Sequence, residues 1–194
     1  MPTVFSHPAP IFCLGLACGG RLISWRLLLA GAFCSVLPDL DVISFTFGVP
    51  YANALGHRGM SHSLLFAAST GLLAALAAPF LRSGRLAAFL VCAAGTLSHV
   101  ALDTLTNGGL GVALLWPFSD ARFFSPWRPI AVSPLSLRRF FSAQGMHVLK
   151  SEALWIWLPS LVCTGLILPL RLKKQKVNGS VVFTSKPELC RKKR

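Results

Sequence analysis

Three stretches, 62–81, 86–105 and 153–170, each run 18 to 20 residues, and Asp103 is the one formally charged side chain among them. An α-helix of that length matches the roughly 30 Å hydrocarbon thickness of a bilayer. In lipid, backbone N–H and C=O groups must be satisfied within the element itself, which leaves helices as the economical way across. The spacing therefore predicts an all-α integral membrane bundle. Two shorter apolar runs, 8–20 and 22–37, come first and give about five spans, three clear and two short. Only 13% of the 194 residues are charged. A soluble domain usually carries about 25%, so a soluble enzyme is excluded. Residues 1–172 read as one membrane-embedded domain. Residues 173–194 read as a basic tail, disordered at its end.

The net charge of +13 comes from 19 basic residues against six acids. Alternating the five spans places 13 of the 19 on one side, in the Arg21/Arg26 turn, the Arg82/Arg85 turn and the tail from Arg171. The positive-inside rule makes that side cytoplasmic. It also puts every histidine, and every acid except Glu188, at the opposite face. Met1 to His7 has no basic n-region, so no cleaved signal peptide is expected. The six cysteines form no Cys-x-x-Cys pair, and five lie in apolar runs, which reads as packing rather than ligation.

The chemistry-bearing residues fall in three stretches. His99 and Asp103 lie four apart, so on a helix they project from one face and can share a metal ion. An isolated pair of this kind is more often a buried hydrogen bond. This one is accompanied by Pro38-Asp39-Leu40-Asp41 and by His57-Arg58-Gly59-Met60-Ser61-His62, with His7 ahead of the first run and Glu152 ahead of the last. Ser61 is read as a helix N-cap. Asp103 and Asp39 lie near helix C-termini, where the macrodipole disfavours carboxylates. A divalent cation would compensate them, and a salt bridge from Arg58 or Arg128 is the rival.

Taken together and in this order, these motifs resemble the LexA-regulated, membrane-bound, metal-dependent hydrolases, a family of bacterial inner-membrane proteins. The resemblance covers His7 through Asp103 and extends weakly through Trp116–Asp120 to Glu152. It implies metal-dependent hydrolysis in the inner membrane. The candidate ligands are His7, Asp39, Asp41, His57, His62, His99 and Asp103. That is more than one tetrahedral zinc needs and suits two ions sharing a carboxylate. A nitrogen and oxygen set without thiolate fits zinc first, then manganese or iron. Asp41 or Glu152 is the candidate general base. Arg58 is placed to grip a phosphate, because a planar guanidinium matches a pair of phosphate oxygens.

The expected partners are membrane lipids and an amphiphilic substrate, with a phosphoester lipid first. The aromatic and basic segment 122–141 reads as an interfacial belt, with a lid over a headgroup as its rival. The basic tail fits attraction to anionic lipid, and no base-reading motif points to nucleic acid. His147 reads as a loop residue. Two other classes remain open. A transporter would place polar groups near the midplane as well, and a non-catalytic scaffold would bind no metal.

Overall fold

The computed structural model describes residues 1–184, apart from Arg21, Leu135 and Ser136. Regular structure among them is helical, with two isolated β-bridges in the connection after the fourth helix, Thr106 to Ile130 and Val112 to Phe123. The chain runs through α1 (Ala9–Cys18), α2 (Trp25–Cys34), a 3-10 segment Leu37–Phe47, a 3-10 turn Met60–His62, α3 (Leu64–Leu76) and α4 (Arg85–Thr104). It ends with α5 (Leu137–Phe140), α6 (Ala143–Glu152), a π turn Ala153–Trp157 and α7 (Leu158–Thr184).

The all-α membrane bundle is observed, but lengths are distributed differently from the sequence reading. Trp25–Phe47, Arg85–Thr104 and Ala143–Lys173 are long and apolar enough to cross a membrane, while α1 and α3 are shorter apolar helices. The run 22–37 does not stop at Pro38. Proline is tolerated in the first turn of a helical segment, because its missing N–H would have no partner there. Pro38 occupies that place in Leu37–Phe47, so Asp39 and Asp41 sit on a helical segment rather than in a loop. The run 62–81 shortens to the 13 residues of α3. Its cap is Ser63, whose hydroxyl accepts from Phe66 N at 3.1 Å, and not Ser61. The last span starts ten residues early, at Ala143, and α7 continues into the stretch expected as a disordered tail. Arg21 and residues 185–194, which entered the orientation argument, lie outside the described residues.

Helix α4 is the central element and packs against α1, α2 and α3. Gly31 on α2 and Gly95 on α4 let their backbones touch, and a Cβ at Gly95 would collide with the Gly31 carbonyl. Thr96 is shared between Thr70 Oγ1 at 2.9 Å and the Cys34 carbonyl at 3.3 Å, which pins α3 and α2 to α4 inside an apolar bundle. One apolar cluster, including Leu27, Ala78, Ala88 and Cys92, fills the end near the Arg82/Arg85 turn. A second, of Ala9, Leu102, Ile130 and Ile156, fills the other end. Leu72, Leu73 and Leu76 of α3 and Leu161, Leu166 and Leu170 of α7 are exposed. A soluble protein does not leave such surface uncovered, and lipid covers it in a membrane.

Candidate metal centre

At this second end the chain folds its histidines and aspartates together. Helix α4 presents His99 and Asp103 one turn apart, the 3-10 segment presents Asp39, and the turn before α3 presents His62. These four are buried, and one ligand atom from each lies within 4.8 Å of all the others. His99 Nε2 is 3.4 Å from Asp39 Oδ1, 3.0 Å from His62 Nε2 and 4.0 Å from Asp103 Oδ2. His62 Nε2 is 3.3 Å from Asp103 Oδ2. A tetrahedral ion with bonds of 2.0–2.2 Å would hold its ligands about 3.4 Å apart, and these separations bracket that value.

The proton positions follow from the partners. His99 Nδ1 faces the Ser35 carbonyl at 2.8 Å, and a carbonyl only accepts, so Nδ1 carries a proton, and in the neutral ring Nε2 has the lone pair. The close crossing at Gly31 and Gly95 brings that carbonyl within reach. For His62, the Ser61 hydroxyl donates to Asp41 Oδ2 at 2.6 Å. His62 Nδ1 must therefore be the donor toward Ser61 Oγ at 2.9 Å and Asp41 Oδ2 at 3.2 Å. With both rings neutral, the two Nε2 atoms lie 3.0 Å apart with their lone pairs free. The carboxylate oxygens of Asp39 and Asp103 are buried there without hydrogen-bond partners. Arg58, 2.9 Å from Asp103 Oδ2, offsets one of these charges, and a further cation would offset the other. A proton on His62 is the minimal one. Burial pushes His62 down, but the neighbouring carboxylates of Asp103 and Asp41 outweigh it and raise its pKa to about 9. A divalent ion would satisfy all four groups at once, and the donor set fits it.

His7 borders the centre. Its ring stacks on His99 with centroids 3.8 Å apart, and its Nε2 lies 3.5 Å from Asp39 Oδ2. Neither ring nitrogen has a hydrogen-bond partner. Burial first, and then neighbouring His99, push it down to about 3, so its ring stays neutral, the form that ligates.

Asp41 and His57 stand differently from the sequence reading. With His62 they form a second group capable of holding an ion. However, His57 Nδ1 lies 2.6 Å from Asp41 Oδ1, a hydrogen-bond length too short for two ligands of one ion. Asp41 also accepts from Ser61 Oγ, His62 Nδ1 and Arg58 N. A carboxylate behind a ligating histidine, holding its ring and tautomer, is the usual support of a metal site. Asp41 thus holds His57 and His62 in place.

Arg58 and Glu152 are likewise occupied. Arg58 is fully buried with a backbone φ of 64°. Its Nε lies 2.9 Å from Asp103 Oδ2, off the hydrogen-bond direction. Its other nitrogens donate to the carbonyls of Gly108 at 3.1 Å and Leu110 at 2.9 Å and to Thr106 Oγ1 at 2.8 Å. Buried among these partners, it acts as the internal counter-charge of Asp103. Glu152 takes no part in either histidine–aspartate group. It accepts from Thr3 N at 2.5 Å, Thr3 Oγ1 at 2.6 Å and Ser6 Oγ at 2.6 Å, and so straps down the segment that delivers His7. Sequence reasoning missed Ser35, Thr3 and Ser6, whose partners lie 64 to 149 residues away. It also took Ser61 for a helix cap and missed its bonds to Asp41 and His62, although its place beside His62 was a usable signal.

Glu152→Ala is expected to lower stability by about 3 kcal/mol, because it leaves three buried donors without an acceptor. Glu152→Gln, which keeps one acceptor oxygen, should lose less. Thermal unfolding in detergent and proteolysis ahead of α1 read both, and an unchanged Glu152→Ala protein would rule out the strap.

The class defined by these features is a multi-span helical membrane protein with a buried histidine–carboxylate centre at one end. Within that class the chain belongs to the YdjM inner membrane protein family, which it matches over residues 1–176. It is 45% identical over 168 residues to the inner membrane protein YbcI of Escherichia coli K12, covering 86% of this chain and 97% of that protein. It is 36% identical over 105 residues to the inner membrane protein YdjM of the same strain, covering 48% of this chain and 50% of that one. No solved structure matches.

Proposed function

We propose that this protein is a metal-dependent hydrolase of the bacterial inner membrane that cleaves an amphiphilic substrate, most simply a phosphoester lipid. One observation carries the reading. Two buried carboxylates without hydrogen-bond partners face two imidazole lone pairs at coordination distances. Asp39, His62, His99 and Asp103 would hold one ion, zinc first and then manganese or iron. His7 stands ready as a further ligand. A divalent ion there supplies a Lewis acid that polarises the scissile group and acidifies an attacking water. The chain's own residues do the rest. Asp41 keeps the proton on His62 Nδ1, the Ser35 carbonyl keeps it on His99 Nδ1, and Arg58 offsets the charge of Asp103. With Arg58 withdrawn, the exposed Arg128 and Arg138 keep this face basic toward a phosphate.

The test is turnover. Protein loaded with zinc or manganese should release phosphate or a phosphorylated headgroup from a bacterial lipid extract, and Asp39→Asn protein should release none. Inertness on broad lipid and phosphoester panels, with metal or proton flux in proteoliposomes, would favour a transporter instead.

The 13-to-6 split of basic residues supports a cytoplasmic C-terminus, with the centre at the outer face. Reporters fused after Lys176 and within 107–109 should then report opposite compartments. The same compartment for both would overturn this orientation.

A further inference from the structure

A groove of about 390 Å³ opens beside the centre, between the 3-10 segment and the start of α3. Leu37, Phe47, Leu55 and Phe66 supply apolar walls. Asp41 is the one charged residue in its lining, with Ser44 and Ser61 as hydroxyl neighbours. Asp41 and Ser61 are the groups that hold His62, so the polar side of the groove is one side chain away from the proposed ion. Ser44 Oγ is buried and has no hydrogen-bond partner, which leaves a donor available in the wall.

The mouth is as informative as the lining. The 3-10 segment is the second half of the apolar stretch Trp25–Phe47, so the groove runs along a membrane span. Leu40, Ile43, Phe47 and Leu55 around it are 48 to 80% exposed. A water-filled substrate channel would not be rimmed by aliphatic and aromatic side chains. A groove with an apolar mouth, apolar walls and a polar inner side matches a molecule with a hydrocarbon chain and a polar junction.

We infer that this groove binds the acyl chain of a membrane lipid entering sideways from the bilayer, with the polar junction set against Ser44 on its inner side. This deepens the hydrolase reading and rests on it for the fate of the lipid. Chain binding itself needs neither metal nor turnover.

The experiment exploits that difference. Asp39→Asn protein, which cannot turn over, is reconstituted in vesicles of phosphatidylethanolamine carrying a photoactivatable acyl chain. After illumination the crosslinked residues are mapped by mass spectrometry. Crosslinks should concentrate severalfold at Leu40, Phe47, Leu55 and Phe66 over the lipid-facing Leu166 and Leu170 of α7. Leu55→Trp and, independently, Leu40→Trp narrow the groove from exposed positions and should remove that enrichment while the metal content of the otherwise native protein stays intact. Even labelling of all lipid-facing helices, or enrichment unaffected by both tryptophans, overturns the groove. Enrichment without turnover in metal-loaded native protein keeps the groove and sinks the hydrolase.

Discussion

Asp39→Asn protein, purified in detergent, is expected to lose its bound divalent metal while becoming no less stable in the metal-free state. Asparagine keeps the shape of the side chain and removes its charge. Folding of a structural zinc site releases about 10–16 kcal/mol over its ligands, so removing one anionic ligand should weaken binding by roughly a hundredfold or more. The stability arm has the opposite sign. Asp39 is 4% exposed and neither of its oxygens has a hydrogen-bond partner. Burial without hydrogen bonds penalises that carboxylate in the empty protein, and neutralising it relieves the desolvation at the loss of its attraction to the His7 and His99 rings, 3.5 and 3.4 Å away. A structural His–Asp pair predicts the reverse, with metal content indifferent to the change and melting lowered. Metal analysis and thermal unfolding with and without chelator separate the two. Full metal content in Asp39→Asn protein would remove the centre as drawn here.

The fold was legible where composition decides it and obscure where chain path decides it. Apolar runs of membrane length announce helices whatever they touch. The same runs say nothing about where a helix ends, and α3 stops at Leu76 although apolar residues continue to Leu81. Pro38 was misread for a physical reason. A proline that ends one helix can occupy the first turn of the next segment, and here it does, carrying Asp39 and Asp41 inward. The convergence of His62, His99, Asp39 and Asp103 followed from alternating the spans, because their motifs all fall at one end. The hydrogen-bonding supports did not follow. The Ser35 carbonyl reaches His99 only because Gly31 and Gly95 let α2 and α4 touch. Glu152, Thr3 and Ser6 meet through tertiary packing that no local pattern records. Residue type also says nothing about the internal partners of Arg58 and Asp41, which lie across the fold: Asp103 for the guanidinium, and His57, Ser61 and His62 for the carboxylate.

Arg58 and Asp103 give the test that tells fold from centre. Arg58→Ala should cost about 3–5 kcal/mol, because it strips the counter-charge from a fully buried Asp103. Arg58→Lys should also be destabilising. An ammonium cannot reach Asp103, Thr106 and the Gly108 and Leu110 carbonyls from one position, as the planar fork does. Asp103→Ala alone is ambiguous, since it removes a proposed ligand and strands a buried guanidinium in the same step. The double variant Arg58→Met/Asp103→Leu resolves this. Replacing a buried ion pair by apolar residues of similar volume is often neutral or stabilising, so the double variant should recover most of what either single change loses. A double-mutant cycle on thermal unfolding then gives the coupling between the two residues. If Asp103 ligates, the recovered protein folds and binds metal at least tenfold more weakly, since even losing a group that only supports a ligand usually costs 10–100-fold. A double variant that folds and keeps its metal would assign Asp103 to the Arg58 pair alone and leave Asp39, His62 and His99, with His7, to hold the ion.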